Sequence, residues 1–373
     1  MNRRPSQSRT GYDSFSPKRA SRFTAATPGN DFFDARRKKP LGQRLALYFF
    51  LFFLAVLTVN FVVNQFIHVH RIEIAVTGLH EDFDGYTLLH ISDLKGASFG
   101  GSQGMLPFAL GESEYDAVVL TGDMLSPHGN AQPFYALIEQ LRAHNTAAPI
   151  YFISGDDDPD VTSESYFTGG SPFAPWVLGA QQRGAQLLTA PQSITRGDQS
   201  LWLTTISHLN LDVDTMQIHF EQQYLSALSS GDENAIELAA HNLKWLEETR
   251  AARKAISDND AIITLTHTPP TADDLGGTQD SRTARIDLIL CGHTLGGLIR
   301  LPLVGPVFIP SANLPRYGLL PGSEAGSALR RHRHTQVYVN PGLGSASDDY
   351  PPFFFRLFNP PAVTLITLTP SSI

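Results

Sequence analysis

A single cysteine in 373 residues, Cys291, excludes any intramolecular disulfide, so stability must come from the core. It lies inside an apolar run, where a small buried hydrophobe is its simplest role. Nothing in that count argues against an extracytoplasmic location. Charge is missing altogether from residues 45–67, where Leu, Phe, Val, Ile and Ala dominate. Twenty-odd apolar residues at ~1.5 Å each cross a hydrocarbon core of about 30 Å, so a single transmembrane helix over 45–67 is expected. A small-residue cleavage site is also lacking in residues 60–71 (NFVVNQFIHVHR), which counts against the alternative of a cleaved signal peptide. Arg36-Arg37 offers a twin-arginine reading, but the surrounding residues give it no support. There is no internal repeat.

What charge there is falls unevenly. Residues 1–44 hold eleven Lys/Arg against three Asp, a balance of +8, whereas the whole chain carries -8, leaving -16 for residues 45–373. The basic segment is rich in Ser, Pro and Gly without apolar periodicity, and is expected to be a disordered tail. Its Arg36 to Lys39 block and Arg44 precede the apolar run, so the positive-inside rule puts the tail in the cytoplasm. Residues 71–373 then form one domain on the extracytoplasmic side of the cell membrane. With so acidic a domain, no nucleic-acid partner is expected.

Five β-rich runs end in a carboxylate or an imidazole. Residues 86–92 (YTLLHIS) lead into Asp93, and residues 116–121 (DAVVLT) into Gly122 and Asp123. Residues 149–154 (PIYFIS) lead into Gly155, Asp156, Asp157 and Asp158. Residues 261–266 (AIITLT) lead into His267, and residues 286–291 (IDLILC) into Gly292 and His293. Strand ends are where a rigid scaffold hands over to a loop, and side chains that do chemistry are often held there. Oxygen and nitrogen donors of this kind suit Zn, Mn or Fe. Between these runs, residues 132–144 read as an amphipathic helix and residues 221–256 as two helices broken near 229–232. Residues 271–283 read as a polar loop, and the Pro- and Gly-rich residues 302–326 as irregular surface structure.

Taken together, and in this order, Asp93-Leu94-Lys95, Gly122-Asp123, Gly155 to Asp158, His267 and Gly292 to Gly297 (GHTLGG) resemble the motifs of the calcineurin-like metallophosphoesterases, in their membrane-anchored bacterial branch. The resemblance runs from about Arg71 to the C-terminus. It implies an α/β fold of two sheets packed face to face with helices outside, a four-layer αββα sandwich preceded here by the membrane helix. It also implies a pair of metal ions that share a bridging Asp and promote attack on phosphorus. By motif position Asp123 is that bridge, Asp156 stands where the family has an Asn ligand, and His267 and His293 are the imidazole ligands of the same metal.

The chain departs from the pattern at three places. Lys95 stands where the family has a His ligand, and Leu295 replaces the second His of GHTH. Only Asp93 and Asp123 then remain for the other metal, too few for tight binding. Asp157 replaces the His that assists the leaving group. Lys95 is read as an electrostatic substitute for the missing cation, beside the alternative of a plain surface lysine. His128, five residues past Asp123, is a further candidate or simply a surface loop residue. The expected function is hydrolysis of a phosphate ester at the outer membrane surface with one divalent metal per chain and low activity. The alternative is an inactive relative that binds a phosphorylated ligand or a partner protein.

Overall fold

The computed structural model describes residues 41–126, 128–163, 170–271, 275, 285–301, 303–309, 318–321, 328–345 and 356–371. The chain divides into a unit ending at Leu54 and a second unit from Ala55 onward. The basic tail lies outside the described residues, as does most of 271–283.

Helix α1 (Leu41–Val63) is 23 residues long and contains an 18-residue window of mean hydropathy 2.5, long and apolar enough by length and composition to cross a membrane. It stops four residues before the uncharged run does. Ile67, the last residue of that run, is buried in the core instead. In the last turn, the Asn60 and Asn64 side-chain amides each donate to the Arg356 carbonyl at 2.7 Å, and the Phe358 N–H donates to Asn60 Oδ1 at 3.0 Å.

Two six-stranded sheets follow. The first has the order β1 (His68–Val76), β15 (Ala362–Pro370), β2 (Thr87–Ile91), β3 (Ala117–Thr121), β4 (Ile150–Ile153), β5 (Ala185–Leu187). The second has the order β13 (Ala328–His332), β14 (Thr335–Val339), β9 (Leu288–Cys291), β8 (Ala261–Leu265), β7 (Gln199–Thr205), β6 (Gln192–Arg196). Strands β2, β3 and β4 run parallel, as do β7, β8 and β9. Such strands are covered on both faces and read as continuous apolar runs.

The period-two alternation of side chains builds the layers. Leu88, Val119 and Ile366 face Leu203, Ile263 and Leu290 across the space between the sheets. Their neighbours Leu89, Leu120 and Phe152 turn the other way. They pack on α2 (Met105–Leu110), α3 (Gln132–His144) and α4 (Pro175–Gln182) through Leu106, Phe134, Leu137 and Val177. On the far side of the second sheet, Ile262, Ile289, Cys291 and Val339 form a third apolar cluster with Leu209 of the short helix α5 (Ile206–Asn210). Cys291 is fully buried there, and its Sγ faces the Tyr338 carbonyl at 3.3 Å.

Two readings need correction. The helical stretch expected over 221–256 is α6 (Val213–Ser230) and α7 (Glu233–Ala255), so it begins eight residues earlier. Asp212 caps α6 by accepting from the Thr215 N–H at 3.2 Å, a start signal that outweighs the weak apolar periodicity of residues 213–220. The break falls where expected, at Gly231 in left-handed backbone. Residues 302–326 are not wholly irregular. There β11 (Gly305–Ile309) pairs with β10 (Ile299–Leu301) and β12 (Gly318–Leu319) in a small third sheet.

Candidate functional site

Loops at the carboxyl ends of β2, β3, β4, β8 and β9 converge on one edge of the sandwich. Backbone hydrogen bonds knit them together. The Asp93 N–H donates to Gly122 O at 3.0 Å, Lys95 N–H to Asp123 O at 2.8 Å, and Gly292 N–H to His267 O at 2.9 Å. The approach is so close that a Cβ on Gly155 would lie 2.1 Å from Asp123 Oδ1, and one on Gly292 1.7 Å from Ser92 Oγ. Both turns therefore require glycine.

Five residues of these loops adopt left-handed backbone: Asp93 (φ 53°), Lys95 (48°), Asp123 (55°), His293 (66°) and Leu295 (54°). Such conformations cost of order 1–3 kcal/mol each and gather at functional sites. The sequence carried no sign of them. Lys95 and Leu295, the two positions expected to depart from the family motif, share this left-handed backbone with Asp93, Asp123 and His293.

Asp123, His267 and His293 form the compact core of the site, with ligand atoms within 4.8 Å of one another. His267 Nε2 lies 3.0 Å from Asp123 Oδ2, and His293 Nδ1 lies 3.2 Å from His267 Nε2. Donors at the ~2.0–2.2 Å bond lengths of a tetrahedral Zn-type site stand about 3.4 Å apart, so this spacing fits a single divalent cation. The other ring nitrogen of His267 is 2.8 Å from the Thr121 carbonyl. That bond fixes the ring and turns Nε2 toward the cluster, as outer partners of metal-binding histidines do. Asp156 sits at the rim: its Oδ2 accepts from Thr268 Oγ1 at 3.0 Å and lies 3.5 Å from His293 Nδ1, with the side chain 62% exposed.

Lys95 is no surface lysine. It is buried, and its Nζ donates to Asp123 Oδ2 at 2.7 Å and to Asp157 Oδ2 at 2.6 Å. Burial works against its charge, but Asp123, Asp93 and Asp157 outweigh that and hold the ammonium protonated well above the usual lysine range. Asp93 Oδ2 accepts from Ser92 Oγ at 2.6 Å and from the His293 N–H at 3.0 Å, while its buried Oδ1 has no partner. Leu295 is 1% exposed, and its side chain and that of Asp93 both lie against Gly342. His128 is exposed, and no hydrogen bond among the described residues joins it to the cluster.

Without metal, His267 is held charged. Burial lowers its pKa, but the Asp123 hydrogen bond and the Asp93 and Asp123 charges raise it to about 9. Burial raises the Asp123 carboxyl, but the His267 and Lys95 hydrogen bonds and charges outweigh it and hold Asp123 well below the usual carboxylate range. Burial and the neighbouring His267 lower His293.

Sequence reasoning missed two supports. Asp158 clamps the β4 loop by accepting from the Leu125 and Gly155 N–H groups, both at 2.9 Å. Arg356, fully buried, donates to the carbonyls of Gly342 (2.7 Å), Leu295 (3.0 Å) and Pro341, and Asn359 donates to Leu295 O and Gly297 O, both at 2.7 Å. The run of three acids after Gly155 was visible, but which one turns inward was not. No feature of the sequence around Arg356 marks it as a core residue.

None of the curated proteins compared with this chain matches it. Among solved structures, the phosphopantetheinyl hydrolase from Mycobacterium tuberculosis aligns with a TM-score of 0.32 at 12% identity, over 70% of this chain and 91% of that one. The family profile described as calcineurin-like phosphoesterase matches residues 86–297, from the strand that leads into Asp93 to the second glycine after Leu295. That span is more than half of the chain and holds every loop of the site, so the protein belongs to the calcineurin-like phosphoesterase family.

Proposed function

We propose that this chain is a membrane-anchored, single-metal phosphoester hydrolase of low activity, with Lys95 in place of a second cation. The observation that carries the reading is the Lys95 ammonium lodged between Asp123 and Asp157. Asp123, His267 and His293, with Asp156 at the rim, would hold one divalent ion, Mn, Zn or Fe. When bound, that ion would supply Lewis-acid polarisation of a phosphoryl oxygen and an acidified water.

The chain's own residues explain why turnover should be slow. Asp93, Asp123, Asp156 and Asp157 against Lys95 leave a formal charge of -3, and one divalent ion brings it only to -1. An anionic phosphoester meets repulsion there rather than the positive field of a two-metal site. Lys95 is held protonated too firmly to give up a proton, its N–H groups already donate to Asp123 and Asp157, and Asp157 gives an oxygen to Lys95. Neither is free to assist a leaving group. The same pairing supports a second reading, ligand binding without turnover, which complete inactivity toward 4-nitrophenyl phosphate in saturating Mn²⁺ would favour.

The test is a metal titration of the full-length protein. About one tightly held metal per chain is expected, and His293→Ala should abolish it. Uptake must displace the His267 proton, so apparent affinity should climb about tenfold per pH unit between pH 7 and 9 and then level off. The metal-free protein shows the opposite sign. Its stabilisation by the charged His267 is fully present below pH 6.5 and is lost as pH rises through about 9. Two retained metals, or a pH-independent affinity, would sink the reading.

The basic residues before the apolar helix support a cytoplasmic N-terminus with the phosphoesterase domain outside. Protease applied to the outer face of intact cells should then remove the domain. Full protection until the membrane is broken would reverse the orientation.

A further inference from the structure

The small third sheet carries an exposed apolar patch. Leu303, in the turn between β10 and β11, is fully exposed, and Val304, Leu319 and Leu320 are each more than half exposed. The register gathers them at one end of the sheet. Leu320 N–H donates to Val307 O at 2.7 Å, two residues from Gly305 where the hairpin turns. Leu303 (φ 67°) and Leu320 (φ 55°) also adopt left-handed backbone, where turns ordinarily carry Gly, Asn or Asp. Bulky leucines there strain the backbone and leave most of their surface in water, so folding gives no reason for them. Apolar surface exposed in this way marks contact with a partner or a membrane.

Hydrogen bonds tie the sheet to the end of the apolar helix. The Arg300 N–H donates to Leu357 O at 2.9 Å, and the Leu357 N–H to Leu298 O at 2.8 Å. One residue on, the Phe358 N–H donates to Asn60 Oδ1 in the last turn of α1. Phe358 is itself in left-handed backbone (φ 57°) and 44% exposed. Leu303 is three residues beyond Arg300, so at ~3.3 Å each it stands within about 10 Å of that junction. Residues 55–63 of the helix belong to the same compact unit as the sheet, and their Val59, Phe61 and Val62 are exposed too. Charge agrees with this placement. Residues 298–323 contain Arg300 and Arg316 but no Asp or Glu, in a stretch of chain, 45–373, that carries -16. Anionic lipid headgroups would meet attraction there, not repulsion.

We infer that the β10–β12 sheet docks on the bilayer, with Leu303 and Leu320 set into the boundary between headgroups and acyl chains. The inference rests on α1 as the membrane anchor and is independent of hydrolysis. It adds a second membrane contact, which fixes the face that the domain turns to the lipid. A lipid surface fits better than a protein partner, because the patch continues an apolar helix end and its leucines stand on turns rather than on a flat face. The sheet starts two residues after Gly297, where a Cβ would lie 2.7 Å from Pro306 Cβ. Docking therefore brings the loop that carries His293 to the level of the headgroups.

The experiment uses full-length protein in nanodiscs of phosphatidylcholine and phosphatidylglycerol. Leu303→Cys, Leu320→Cys, Asp198→Cys and Leu51→Cys are each labelled with a nitrobenzoxadiazole fluorophore, and the parent protein with its buried Cys291 is the labelling blank. Asp198 lies in the β6–β7 turn, at the edge of the sandwich opposite the site, and Leu51 reports on the anchor. Nitroxide-bearing lipids should quench labels at 303 and 320 at least threefold more than the label at 198, and aqueous iodide should show the reverse order. Leu303→Asp changes a fully exposed side chain at a backbone angle that Asp tolerates, so the fold is not at stake. It should cut lipid quenching of the 320 label at least threefold. Labels at 303 and 320 that are open to iodide, with 51 in lipid, overturn the inference and leave the anchor standing. Protection of 303 and 320 from both quenchers also overturns it, since a protein surface would then cover the patch, as does a 320 label indifferent to Leu303→Asp. An aqueous label at 51 strikes the anchor and the inference together.

Discussion

The variant carrying Lys95→His, Asp157→His and Leu295→His should hydrolyse 4-nitrophenyl phosphate about 10²–10⁴ times faster than the wild type in saturating Mn²⁺, the range that general acid–base assistance supplies. The argument starts from the backbone. Positions 95 and 295 hold φ values of 48° and 54°, where His is tolerated better than Lys or Leu. The substitutions therefore add no strain to loops that already have the required shape. Leu295 and Asp93, whose buried Oδ1 has no partner, both lie against Gly342, so an imidazole at 295 would enter the neighbourhood of that carboxylate. Removing Lys95 frees Asp123 from its ion pair at the same time. The single substitutions should each recover little, because groups that act as one unit are far from additive. Metal content of the triple variant should rise toward two per chain. A triple variant that folds, binds two metals and stays inert would refute this account of the low activity.

Lys95→Met should be the most damaging single change to the metal-free protein. It keeps the unbranched apolar stem, one atom shorter, and removes the ammonium with its two hydrogen bonds. Asp123, 1% exposed, would then lose the ammonium at 2.7 Å and keep the charged His267 at 3.0 Å as its remaining cationic partner. Losing one charge-assisted hydrogen bond to a buried carboxylate typically costs about 1.5–3 kcal/mol, a large share of the stability of many domains. Asp157, at 43% exposure, can turn to water and adds little. Urea denaturation in EDTA measures the loss. If Lys95 does stand in for a cation, Mn²⁺ should return much of the stability to the variant, since a ligand at a hundred times its Kd contributes about 2.7 kcal/mol. A loss below about 1 kcal/mol would show that the lysine is incidental to the site.

The five strand ends and their order were legible because parallel strands buried on both faces are uninterrupted apolar runs, and the chemistry begins where each run stops. The bridging of Lys95 between two acids was half legible. Its place in the motif suggested a substitute cation, but only the fold shows Asp157 brought to the same nitrogen. Left-handed φ values leave no trace when Asp, Lys, His and Leu all adopt them. Arg356 was hidden for a different reason. Its partners are main-chain carbonyls from residues 295, 341 and 342, and backbone partners have no sequence signature.

The bonds at the end of α1 decide where the chain can be cut. A water-soluble fragment begun near residue 70 would look natural, since β1 starts at His68. It would discard Asn60 and Asn64, stranding the Arg356 carbonyl and the Phe358 amide. Those atoms belong to the stretch whose Arg356 and Asn359 side chains hold the Leu295 and Gly297 carbonyls. A fragment trimmed there would report on a loosened loop rather than on the native centre. The useful left-hand boundary falls inside the apolar helix, so detergent or lipid becomes part of any faithful assay.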